Sequence, residues 1–255
     1  MSARTALIRH TLSVLWRGSR PWAFLFFVAA GFSGMAFLFG QTAEPDLLGK
    51  NAMLVRLLQA ILAAGLLVVA LQAADAFSGA RERGTLEAFL LAPIRRSDLA
   101  LANGIAALSL WFAMLAVAAP YAWVLSFDTK SFLDLMRILL GPGTLLAVSA
   151  TALGLIISAR SADNKRSIVA TLAVLLVAFS PTLVPRLQLY ALGETILRLD
   201  PASAVHSFAD QVLVRNQSWQ QAASWLYVPA IAALALTALA WGTTRRLRLD
   251  PAVKA

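Results

Sequence analysis

The sequence predicts an all-α integral membrane protein with six transmembrane helices. Three observations carry that prediction. Of 255 residues, 59% are hydrophobic and only 14% charged, a composition that no soluble domain of this length shows. The apolar residues gather into six runs, most near the roughly 20 residues a helix needs to cross a bilayer. The net charge of +9 lies entirely on one side of the resulting layout.

Residues 1–20 read as an amphipathic helix at the membrane surface. Ile8, Leu12, Leu15 and Trp16 share one helical face, and Arg9, Ser13, Arg17 and Arg20 another, the pattern of a helix lying in the headgroups. The segment is too long and too basic for a cleavable signal, and no A-x-A-like site follows a short apolar core. Gly18 and Pro21 permit a turn into the first span, Trp22–Gly40. A polar connection over 41–56, with Glu44, Pro45, Asp46 and Lys50, leads to the second span, Leu57–Ser78. The third is Leu99–Phe127, with Pro120 near its far end. A short loop with Asp128, Lys130, Asp134 and Arg137 precedes the fourth, which Gly141-Pro142-Gly143 opens and Arg160 closes. The turn 161–166 returns to the fifth span, Ser167–Val184.

Residues 185–222 form the longest segment outside the spans. Pro181 and Pro185 are expected to end the fifth span. Asp200-Pro201-Ala202-Ser203 is a helix start in which Asp caps and Pro takes the first helical position. Leu187, Tyr190, Leu192, Ile196 and Leu197 make the preceding part too apolar for a free loop. Two short interfacial helices are expected here, either capping a pathway or lying on the lipid surface. The sixth span, 223–242, ends in the basic tail Arg245-Arg246-Leu247-Arg248.

Six spans place both termini on one side. That side collects 15 of the 22 basic residues and 6 of the 13 acids, Asp75 included, and the other side 7 of each. The positive-inside rule makes the basic side cytoplasmic. The excess charge therefore reflects topology and anionic lipid. No nucleic-acid partner is expected, because no basic cluster is interleaved with stacking aromatics.

Other chemistries lack their residues. There is no Cys, so disulfides and thiolate metal sites are excluded. No phosphate loop of the G-x-x-x-x-G-K-S/T kind and no H-E-x-x-H pair occurs. The two histidines, His10 and His206, fall on opposite sides, and the five Met do not cluster. No catalytic residue, metal site or cofactor is expected. Asn216-Gln217-Ser218 matches a glycosylation sequon but is too short a pattern to weigh. No internal repeat supports an inverted-repeat carrier. Asp75 is the main ionisable residue within a span. It is either functional or an interfacial group paired with Arg81 or Arg83.

The most charged stretch is 81–98, where seven of eighteen residues ionise. Gly84 breaks the preceding helix, Thr85 is a plausible N-cap, Glu87 falls in the first turn, and Pro93 ends the segment. Leu86, Phe89 and Leu90 share one face. The run Glu82-Arg83-Gly84-Thr85-Leu86-Glu87, then Leu90-Leu91-Ala92-Pro93 and Arg95, resembles the E-R/E-x-G-T-L-E-x-L-L-x-x-P-x-x-R segment of type-2 ABC exporter permeases. With the six-span layout, the resemblance covers most of the chain and implies a single permease domain, 1–255.

In that family the segment is a coupling helix, here 85–92. The resemblance implies that Glu82, Arg83, Gly84, Thr85, Leu86, Glu87, Phe89, Leu90 and Pro93 contact a separate cytoplasmic ABC ATPase. It further implies pairing with a second permease copy or a homologous permease, a substrate pathway between the two, and a bacterial inner membrane. The chain lacks the large extracellular domain that some drug exporters of the family carry between their first two spans. The competing readings are a membrane-embedded lipid-modifying enzyme and a non-transport assembly factor or anchor. An enzyme would need paired acids, and the nearest candidates are Asp128 with Asp134, or Glu82 with Glu87.

Overall fold

The protein is described here by a computed structural model over residues 3–40, 47–91, 95–126, 129–183 and 197–245, and every regular element in them is helical. In chain order these are α1 (Ala3–Arg17), α2 (Ser19–Gly40), α3 (Leu47–Glu82), α4 (Thr85–Leu91), α5 (Arg96–Ser126), α6 (Thr129–Ile138), α7 (Thr144–Arg160), α8 (Asn164–Leu183), α9 (Pro201–Leu213), α10 (Trp219–Ala222) and α11 (Tyr227–Arg245). Five stretches among the described residues are long and apolar enough to cross a membrane: Ser19–Leu38, Asn51–Glu82, Arg96–Ser126, Lys130–Arg160 and Trp219–Arg245. The remaining apolar run forms α8, 20 residues long, outside that set of five.

Helix α3 is the axis of the bundle. It packs on α7, α5 and α8, and its Leu57, Leu58, Ile61, Val69, Ala70, Ala73 and Phe77 are fully buried. The α3–α7 seam is built from small residues: a Cβ on Gly154 would fall 2.7 Å from the Ala70 carbonyl oxygen and 2.8 Å from the Ala73 Cβ. Close backbone approach of this kind substitutes for the hydrophobic drive that is weak between helices in lipid. Farther along, Trp111 of α5 is completely buried. Its ring fills the space where a Cβ on Gly65 would come within 2.5 Å of it, and its indole N–H donates to Thr144 Oγ1 at 3.1 Å.

Two sequence expectations are corrected. The 41–56 segment is not wholly a connection, because α3 begins at Leu47 and runs 36 residues, roughly 54 Å at 1.5 Å per residue. Hydropathy marks only the apolar part of a helix, and Lys50, Asn51 and Arg56 continue it without a breaker. The 128–137 loop is largely helical: α6 occupies Thr129–Ile138 and passes through a π-helical turn, Leu139–Gly143, into α7. Pro142 sits in that turn, where its missing N–H is accommodated by the widened ladder. The fifth apolar helix is described to Leu183, one residue from the expected boundary at Val184.

At one end of the bundle α9 is sealed in rather than laid on its surface, with Ala204, Val205, Phe208 and Ala209 fully buried. Asp200 caps it, accepting from the Ser203 N–H at 2.8 Å with Pro201 at the first helical position, as the sequence predicts. Gln59 Nε2 of α3 lies 3.1 Å from each ring nitrogen of His206. Trp219 donates to Asp134 of α6 at 3.4 Å. Residues 184–196, which include Pro185, Leu187, Tyr190, Leu192 and Ile196, lie outside the described residues.

Candidate functional site

The other end of the bundle gathers α1, α4, the α7–α8 turn and the last turn of α11. Its centre is the C-terminal end of α3. The helix stops where Gly84 takes a left-handed backbone, φ 67°, with the Gly84 N–H bonded to the Arg81 carbonyl at 3.0 Å. Side chains resist that conformation, so glycine sets the angle at which α4 leaves α3. Thr85, expected as the residue before the helix, is instead the first residue of α4. Its hydroxyl donates back to the Ala80 carbonyl at 3.1 Å, because the reversed chain carries it over the last turn of α3.

Leu86, one residue of the expected docking face, is 4% exposed and packs inward as part of the protein's own core. Glu87 is exposed. The side chains of Phe89 and Leu90, and Pro93 as a whole, fall outside the described parts of the chain. Among the described side chains of α4, Leu91 is the large apolar one that is exposed, at 77%. The sequence reading passed over it because it falls off the i, i+3, i+4 face.

Beneath α4, a polar brace ties α3 to the α7–α8 turn. Asp75 accepts from Asn164 Nδ2 at 2.7 Å and pairs with the Arg83 guanidinium at 3.3 Å. Glu82 accepts from the Asn164 backbone N–H at 2.9 Å, placing its charge at the positive end of α8. Arg81 donates to the Ser161 carbonyl. Ser158 Oγ accepts from the N–H groups of Phe77 at 2.9 Å and Ser78 at 3.0 Å. The Ala74 carbonyl accepts from the hydroxyls of Ser78 at 2.6 Å and Ser167 at 2.8 Å. Side chains of α7 and α8 thus insert into the backbone ladder of α3, an arrangement that locally adapts a helix. Room for it comes from Gly79, where a Cβ would lie 2.0 Å from Asp75 Oδ1.

Of the two arginines expected to pair with Asp75, the structure shows Arg83 doing so. With side-chain exposures of 22% and 54%, that ion pair by itself contributes at most about 1 kcal/mol. Its partner Asn164, like Ser158 and Ser167, was not legible as a site residue. The sequence marks 161–166 only as a turn, and nothing local tells which distant helix its polar groups meet. Two of the four acids that an enzyme reading would need have partners of their own. Asp134 pairs with Arg137 at 3.4 Å, Glu82 holds α8, and Asp128 lies outside the described residues.

A cleft of about 540 Å³ opens beside the brace, between α1, the α1–α2 elbow, α3, α4 and α5, with His10, Arg20, Asp75, Arg83 and Asn103 on its walls. Helix α1 forms its outer side. Leu7 is buried, Trp16 donates to Ser109 Oγ of α5 at 3.1 Å, and Trp22 donates to the Trp16 carbonyl at 3.1 Å. Arg9, Arg17 and Arg20 are exposed.

Two comparisons with known proteins bear on this arrangement. A family model described as "ABC-2 family transporter protein" matches residues 6–247, from α1 to just past α11. A search of the curated proteins finds no match.

Proposed function

From the premise that the chain belongs to the ABC-2 family of transporter proteins and is an integral-membrane permease component of an ABC transporter, we propose that it is one half of an ATP-driven exporter, coupled to separate ATPase subunits through α4. The observation that carries this reading is the construction of α4: a seven-residue helix set at a fixed angle by Gly84, anchored inward by Leu86, and presenting Glu87 and the exposed Leu91 outward. A load applied to α4 reaches two spans at once, because Glu82 and Asp75 join the same corner to the start of α8. The helix is stiffened from below and open from outside, as a contact for a moving partner must be.

In this reading the chain crosses the membrane six times, with α8 as the fifth crossing, and the α4 end faces the cytoplasm of a bacterial inner membrane. Substrate passes between two permeases, this chain and a second copy or a homologue. The family membership supports a transport component rather than an enzyme, and ATP is hydrolysed in the partner chain.

The test is co-purification with a phosphate-loop ATPase of the ABC type co-expressed with this chain. Leu91→Asp is expected to leave folding and membrane insertion intact while weakening ATPase capture and stimulation about tenfold, since burying one leucine contributes roughly 1.5–3 kcal/mol. Leu86→Asp, by contrast, is expected to lose the folded protein altogether. Full ATPase binding and stimulation by Leu91→Asp would remove α4 from the coupling role.

A further inference from the structure

On the same end of the molecule, but at its edge, lies a second cleft of about 570 Å³ that the coupling argument does not use. Arg4 of α1, Arg95 and Arg96 before and at the start of α5, and Arg245 at the end of α11 converge on it, with Asp98 and Trp241. Four guanidinium groups meet one carboxylate, an excess of three positive charges. Asp98 is engaged by Arg4 at 3.8 Å, and Arg245 stacks over the Trp241 ring at 5.4 Å. Arg95 and Arg96 have no carboxylate partner among the described residues. Cations drawn from three separate parts of the chain repel one another unless an anion sits among them.

Trp241 also borders a second cavity. Running between α5, α7 and α11, a crevice of about 150 Å³ is lined by Leu101, Gly104, Leu108, Val148, Leu155 and the same Trp241. Its walls are nearly all carbon, and a Cβ on Gly104 would meet nothing closer than 3.8 Å. The neighbouring surface of α11 is apolar and open, with Ile231 at 64%, Leu234 at 74% and Leu239 at 58% exposure. The basic cleft and the apolar crevice therefore join at one indole, beside a face that looks into lipid.

We propose that this composite site binds an anionic phospholipid, its phosphate held by Arg4, Arg95, Arg96 and Arg245 and an acyl chain entering the α5–α7–α11 crevice. Guanidinium forks match phosphate oxygens bidentately, and basic pockets between transmembrane helices on the cytoplasmic side are suited to such headgroups. An acidic protein surface would account for the arginines but not for the crevice. A soluble phosphate would likewise leave the apolar half unused. Trp241 supplies the interfacial ring that joins the two halves. The lipid would tie the N-terminal helix to the last span. The inference rests on the membrane placement given above and not on ATP coupling, so its readout involves no ATPase.

The experiment is native mass spectrometry of the full chain extracted from phosphatidylcholine bilayers doped with a cardiolipin-class lipid. Wild type is expected to retain the doped lipid. The double variant Arg4→Gln/Arg245→Gln and the crevice-filling Gly104→Leu are each expected to retain it about tenfold less, with melting temperatures close to wild type. Arg160→Gln/Arg166→Gln, which removes two exposed cations elsewhere on the same end, is expected to change nothing. Should the arginine variant lose its fold, Arg4→Lys/Arg245→Lys keeps the charge and is expected to weaken retention through loss of the bidentate geometry. Retention equal to wild type in both the arginine and the Gly104 variants would overturn the proposal. So would displacement of the lipid by soluble glycerol phosphate with Gly104→Leu unaffected, which would identify a free-anion site. Loss of a co-purifying protein in the arginine variant with lipid retention unchanged would overturn it too, as a protein-docking surface.

Discussion

Gly79 is the residue on which the brace depends most sharply. A methyl group there would sit 2.0 Å from Asp75 Oδ1, so Gly79→Ala has to expel the carboxylate from its bonds with Asn164 and Arg83. Of the bonds lost, the exposed ion pair with Arg83 contributes at most about 1 kcal/mol, and the charge-assisted bond from Asn164 roughly 1.5–3 kcal/mol. Against that stands the gain of about 1 kcal/mol from replacing glycine within a helix. The expected outcome is a net loss of thermal stability that matches that of Asp75→Asn. The double variant should be little worse than either single one, because both remove the same interaction. Additive losses in a melting series would show that Gly79 and Asp75 act separately. Sequence alone exposed half of this arrangement. Asp75 stood out as a charge in an apolar run, and Arg83 lay two helical turns on. Ser158, Asn164 and Ser167 did not stand out, because a serine near a helix end looks alike whether it caps its own helix or enters another one's ladder.

Helix α9 shows what one element can make of a single titrating group. His206 is held below its ordinary value of 6.5 by burial, with the nearby Asp210 charge opposing the shift. Gln59 donates to whichever ring nitrogen carries the lone pair, a bond available only to the neutral ring. Because the folded value is depressed, the unfolded form takes up a proton before the folded form does. The docking of α9 is therefore fully stable above about pH 6.5 and weakens as the pH falls below it. Amide hydrogen exchange in α9 should accelerate between about pH 7 and about pH 5, after correction for the intrinsic rate, and His206→Gln should abolish that acceleration. An unchanged profile in the variant would assign the effect elsewhere. The start of α9 was readable from Asp200-Pro201, since a cap and a first-turn proline are local signals. Its burial was not, because that depends on α3, α6, α8 and α11 closing around it. The same limit explains α3 and α6, where hydropathy located apolar stretches but not the polar helical turns that extend them.

At the scale of the whole molecule, the two ends of the bundle differ in charge and in construction. The α4 end carries the basic connections and the brace, whereas the α9 end carries short sealed helices. The partition of Lys and Arg made that asymmetry legible before any contact was known, since orientation is written in composition. The boundary between α3 and α4 was legible through Gly84. Which of Leu86 and Leu91 faces outward was not, because less than half a turn of rotation about a short helix exchanges the two. The central claim is that α4 meets an ATPase, and the absence of cysteine from the chain allows a direct measurement. Leu91→Cys introduces a single thiol at the outward position, and Leu234→Cys places one on the open face of α11 as a control. With a short thiol-to-amine cross-linker applied to membranes containing both proteins, the account predicts a covalent adduct with the ATPase from position 91 and none from position 234. No adduct from 91, or equal adducts from both, would contradict it.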